Sequence, residues 1–148
     1  MKFSAAAILS AVVAVSANPT VARAEPVFAV SNFQAGCIPH SSQCRYSFDV
    51  IKTGTGETIP VSCVLLKTSN NVLPDVTDGT CIDSSRTFSF KRRAEGLTFT
   101  VSQQITPSSN QTGTYLIPKN DFIFTKTTTA SVEEYTGPKA FTLTDQTI

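Results

Sequence analysis

Apolar and polar residues alternate with a period of two along most of this chain. That is the mark of strands with one buried and one wet face. Cys44, Tyr46, Phe48 and Val50 alternate with Arg45, Ser47 and Asp49. Turn-forming residues occupy 53–56, and Ile59, Val61, Cys63 and Leu65 then restore the alternation, so residues 44–66 read as one β-hairpin. Phe88 and Phe90 flank Ser89; Leu97, Phe99 and Val101 alternate with threonines. Ala94, Glu95 and Gly96 join them as a second hairpin. Shorter strands are expected at 27–30, 115–117, 122–124 and 141–143. The breakers Asn70-Asn71, Pro74-Asp75 and Asp78-Gly79 mark a loop, and 107–113 reads as a polar loop. The threonine run at 125–129 reads as an edge strand. Ser131 to Glu134 fits a helical capping box, which Gly137-Pro138 would stop within about one turn.

Short strands separated by polar turns predict an all-β protein, an antiparallel β-sandwich or β-barrel. The threonine content agrees, because a branched β-carbon carrying a hydroxyl suits a half-wet sheet surface. With no tryptophan and ten phenylalanines, the core must be built largely from Phe.

The first residues change the picture from fold to destination. Met1-Lys2 is a basic start, 5–15 is an uncharged apolar run, and Ala17 and Ala24 each end a small-residue cleavage pattern. Residues 1–24 therefore read as a secretory signal peptide, too short and too early for a membrane span. Residues 25–148 read as a single secreted β domain with no transmembrane segment. The chain holds 12 Lys+Arg against 11 Asp+Glu. Losing Lys2 and Arg23 with the leader leaves a net charge of −1, so no strong overall field is expected to draw the domain to nucleic acid or anionic lipid.

Secretion also governs the four cysteines, which are expected to pair as disulfides in an oxidising compartment. Local pairing, Cys37–Cys44 with Cys63–Cys81, is favoured: it pins the start of the first hairpin and ties that hairpin to the breaker-rich loop. A Cys44–Cys63 bond across the hairpin is the competing pairing. The spacings do not suit a thiolate metal site, and no cofactor is expected.

No catalytic set stands out. His40, the only histidine, adjoins Ser41 and Ser42 but has no acidic orienter and no nucleophile-elbow motif, so it reads as a polar loop residue. Glu133, Glu134, Asp75 and Asp78 are the carboxylates a glycosidase would draw on. They read instead as solvated charge, and the chain lacks the tryptophan that sugar clefts often use. The 75–79 stretch lacks the remaining ligands of a calcium loop. Lys91-Arg92-Arg93 reads as an exposed hairpin tip rather than a polyanion site. Asn110-Gln111-Thr112 is an N-glycosylation sequon in polar surroundings.

The stretch Phe28 to Phe33, followed by Cys37-Ile38-Pro39-His40-Ser41-Ser42-Gln43-Cys44-Arg45-Tyr46-Ser47-Phe48, resembles the start of the fungal hypersensitive-response-inducing protein elicitors. That resemblance implies a small, secreted, disulfide-linked β protein acting non-enzymatically on plants. It would trigger defence and local cell death through recognition at the host cell surface by a receptor or membrane component. It transfers no functional residue beyond the cysteines. A wall-associated or small-ligand-binding β-barrel and a cell-wall carbohydrate hydrolase are the alternatives.

Overall fold

The computed structural model describes residues 25–126 and 130–145. The leader expected at 1–24, with its cleavage points after Ala17 and Ala24, lies outside the described residues, as do 127–129 and 146–148. Among the described residues ten strands follow one another: β1 (Pro26–Cys37), β2 (Gln43–Lys52), β3 (Val61–Thr68), β4 (Val76–Thr80), β5 (Thr87–Arg93), β6 (Gly96–Thr106), β7 (Ser109–Pro118), β8 (Phe122–Lys126), β9 (Ser131–Tyr135) and β10 (Phe141–Thr144). A 3-10 turn at Lys119–Asp121 precedes β8.

All pairings are antiparallel, and the order β3-β2-β1-β10-β7-β6-β5-β4 curls into a near-closed barrel. At the seam, β3 meets the end of β4 through a bridge between Cys63 and Cys81 and a hydrogen bond from the Ile82 amide to the Ser62 carbonyl, 2.9 Å. The Cys63–Cys81 disulfide staples this seam, and Cys37–Cys44 joins directly opposed residues of β1 and β2. The local pairing is thus the one formed. The strand register defines two ends: an upper end where β1 finishes, and a lower end where it starts.

Inward residues fill the lumen. Phe33 is fully buried, with its ring 4.9–6.2 Å from those of Phe48, Phe90, Phe99, Tyr135 and Phe141. Tyr46, Phe90 and Phe99 stack in succession, at 4.0 and 4.5 Å. Each such ring pair adds about 0.5–1.5 kcal/mol beyond its buried area. The phenylalanine-rich composition is explained by this lumen.

An ion pair braces each end. At the lower end Arg86, 3% exposed, donates to both Glu57 carboxylate oxygens (2.6 and 2.8 Å), to the Val50 carbonyl and to the Gln103 side chain, and lies over the Phe28 ring. At the upper end the loop at 69–75 folds inward and buries Leu73. Glu133 accepts from the Leu73 amide (2.9 Å) and from Arg92, while Tyr46 Oη donates to the Pro74 carbonyl (2.8 Å).

Several expectations are corrected. The strand expected at 27–30 runs on to Cys37, because a bulge with Asn32 at φ 52° shifts the register between Ser31 and Gln34 and moves the buried positions to Phe33, Ala35 and Cys37. Ile59 is 80% exposed in the β2–β3 connection rather than a strand residue. The breaker-rich loop contains β4, with Asp78 on it. The polar loop at 107–113 is mostly strand: β6 and β7 stay paired out to Thr106 and Ser109, joined by a two-residue turn. The capping-box segment is β9, not a helical turn. Its ladder with β8 and the burial of Val132 and Tyr135 override the local helical signal. Of the expected edge strand at 125–129, Thr125 and Lys126 belong to β8.

Candidate functional site

β1 positions the site because it serves two neighbours on one edge. Its lower half pairs with β10, and its upper half meets β9 at Gly36 opposite Glu134. β9 carries β8 outward, and among the described residues β8 pairs only with β9. This divergence leaves a groove of about 600 Å³ between the upper half of β1, the start of β2 and the β8–β9 hairpin. That volume falls in the range of small-molecule and headgroup sites.

The groove mixes chemistries. Its buried members are Phe33, Ala35, Cys37, Val132 and Tyr135; Ile38 and Pro39 of the disulfide-closed turn add exposed apolar surface. Arg45 and Lys139 contribute cations, Glu134 an anion, and Thr125 and Thr136 hydroxyls. Thr125 Oγ1 donates to Glu134 (3.2 Å). Burial, with help from the nearby Asp121 carboxylate, pushes the Tyr135 phenol up to about 12, so it stays protonated and donates to the Pro138 carbonyl at 2.5 Å. Gly137 leaves room for two neighbouring side chains: an added Cβ would lie 2.6 Å from an Asp121 carboxylate oxygen and 2.7 Å from Tyr135 Oη. The 139 carbonyl accepts from the Phe33 amide, fixing the segment against β1 at the bulge.

The residues singled out from the sequence take varied places. Cys37 lines the groove; Cys44 is buried beside it, and Cys63 and Cys81 lie at the seam. His40 is exposed in the β1–β2 turn with φ 60°, and Ser41 Oγ accepts from the Gln43 amide. Asp75 accepts from the Arg92 amide (2.9 Å) and Asp78 is exposed on β4. Lys91, Arg92 and Arg93 end β5 just before the tight β5–β6 turn, as expected, but the Arg92 guanidinium reaches back to Glu133 and the Leu73 carbonyl. Asn110 is exposed beside the β6–β7 turn at the lower end, away from the groove.

The neighbouring glutamates divide. Glu134 is exposed in the groove, whereas Glu133 is 4% exposed and structural, correcting the reading of both as solvated charge. Period-two alternation on β9 is what separates them. Arg86, Lys139 and Arg45 were not singled out from sequence as site residues: Arg86 and Lys139 stand among unremarkable neighbours, Arg45 was read only as an outward residue of the alternating strand, and each acquires its role from the folded arrangement. Among the described residues no group of three or more His, Cys, Asp or Glu side chains could hold a metal ion. No family model, curated protein or solved structure matches the chain.

Proposed function

We propose that this chain is a secreted recognition protein of the fungal hypersensitive-response-inducing kind, non-enzymatic and perceived at the plant cell surface. The observation that carries the reading is the position of the groove. It opens beside the Cys37–Cys44 turn, the same segment that bears the resemblance. Two disulfides suit an oxidising extracellular setting. Binding rather than catalysis is favoured because Glu133, the buried carboxylate, is occupied in holding Arg92 and the Leu73 amide. The ring-filled lumen favours contact through the outer surface over storage of a small ligand inside. Infiltrating the folded, secreted protein into leaves, beside a reduced and alkylated control, tests the reading. Local cell death from the folded protein alone is expected; a leaf that does not respond to folded protein refutes it.

A further inference from the structure

We propose that the upper end of the barrel docks on a membrane surface bearing anionic lipid headgroups. The inference rests on the reading that the protein acts at a cell surface and names the component it touches there.

A near-neutral chain gives no hint of such a surface, but folding segregates its charges. Arg45, Lys67, Lys91, Arg93, Lys119 and Lys126 are all exposed, on strand segments or connections at the upper end or on the hairpin that projects there. Facing them are three exposed carboxylates, Asp75, Glu95 and Glu134, and the half-buried Asp121, while Glu133 is neutralised by Arg92. The lower end has the opposite sign: Glu25, Asp49, Glu57, Asp83 and Asp145 stand against Lys52 and the buried Arg86.

The same cationic end exposes apolar side chains that a protein in water gains nothing by presenting. Ile38 and Val72 lie in its turns, Leu66 near the end of β3, and Ile123 and Phe124 (54% exposed) on β8. Apolar tips surrounded by cations can sink into the headgroup layer while the cations hold lipid phosphates and carboxylates. A hydrated acidic polysaccharide would use the cations but leave these side chains in water, so the lipid surface is the better fit. The groove between Arg45 and Lys139 is large enough for a headgroup. The lower end also exposes Ile59, Ile82 and Ile105, but its carboxylates would be repelled by the same surface. Asn110 lies at that lower end, so a glycan there would point away from the membrane.

Co-sedimentation of the mature protein with phosphatidylcholine vesicles, with and without phosphatidylserine, tests the proposal. Binding is expected only with phosphatidylserine and should weaken as salt rises. Each surface cation contributes about five-fold, so Lys91→Gln with Arg93→Gln should weaken partitioning about 30-fold. Phe124→Ser should weaken it about ten-fold. Lys52→Gln and Ile59→Ser, at the lower end, should leave it unchanged. The proposal is overturned if phosphatidylserine vesicles do not bind, if the lower-end variants weaken binding equally, or if soluble polygalacturonate binds with the same charge dependence while vesicles do not. Vesicle binding without a leaf response would remove the elicitor reading and leave this one standing; a leaf response without vesicle binding would do the reverse.

Discussion

Replacing both Cys63 and Cys81 with alanine would remove the covalent staple from the narrow β3–β4 seam of the barrel. Most neighbouring strands share hydrogen-bonded ladders, but β3 and β4 are joined by the bridge at these two cysteines and by the Ile82 amide bond to Ser62, a contact as narrow as the one registered pair, Thr144 with Thr114, between β10 and β7. The disulfide closes a loop with a sequence separation of 18, for which the chain-entropy relation gives about 3.2 kcal/mol. The separation of 7 at Cys37–Cys44 gives about 2.4 kcal/mol by the same relation. A loss of about 3 kcal/mol is a large share of the 5–15 kcal/mol typical of a domain. Alanine is the right replacement because Cys63 is fully buried and a serine hydroxyl would add its own desolvation penalty. Urea unfolding should show the midpoint falling and the slope rising, since the unlinked denatured chain exposes more surface. Amide exchange should locate the change, with Ile82 and the β3 edge losing protection while the Phe33 amide, on the far wall, keeps it. If the variant unfolds within about 1 kcal/mol of the parent and Ile82 stays protected, the seam is held by backbone and packing alone and the staple argument fails.

Glu57→Gln should destabilise at neutral pH by about 1–3 kcal/mol. The hydrogen bond from Arg86 holds the Glu57 carboxyl below the ordinary carboxylate range, so its contribution is complete above the unfolded value of about 4.3 and fades as pH falls through the folded one. The stability gap between parent and variant should therefore narrow as pH falls from the unfolded value through the lower folded one; a gap that does not narrow on acidification contradicts the pairing. Glu133→Gln should cost about 1–3 kcal/mol by weakening the hold on Arg92 and raise exchange at the Leu73 amide, both read by denaturation and exchange measurements; unaltered stability would mean the 69–75 loop is held without it. Gly96→Ala should lose about 4 kcal/mol or more, because the new Cβ would sit 2.0 Å from the Ile117 carbonyl oxygen at a φ of +155°; thermal unfolding near the parent temperature would refute the close approach. Produced through a secretory pathway, the protein should carry a glycan removable by glycosidase at Asn110, and Asn110→Gln should leave phosphatidylserine-vesicle binding intact; weaker binding would place the sequon near the docking end.

What could be read from the sequence depended on whether one face of a strand stays wet. β2, β5 and the first half of β6 declare themselves because Tyr46, Phe48, Phe88, Phe90 and Phe99 point inward between polar neighbours. β1 fades after Val30 because the bulge at Asn32 shifts its phase. The outer parts of β6 and β7 carry no apolar period, since both faces meet water and the strands are joined by ladder bonds and hydroxyl pairs such as Ser102 with Thr112. β9 misleads because Ser131 and Glu134 satisfy a helical rule locally, while Glu133 and Tyr135 are claimed by partners distant in sequence. The disulfides were legible because each joins neighbouring stretches of chain. The groove was not, since it gathers β1, β2, β8, β9 and the 136–139 segment, and neither was the segregation of charge, which a net value conceals.

The pairing of β1 with β10 sets an order on folding. The β1–β2–β3 and β5–β6–β7 meanders need only neighbouring strands and can form as each segment becomes free, with Cys37 already opposite Cys44. The wall between them waits for residues 141–144 to reach 26–30. Bringing together strands so distant in sequence carries the largest loop-closure entropy in the barrel, so this step should come late and govern the rate. Until then the Phe33 ring has no Phe141 against it, and the half-barrels carry open aromatic faces. That interval is where the protein is most exposed to aggregation, and where any folding assistance would act.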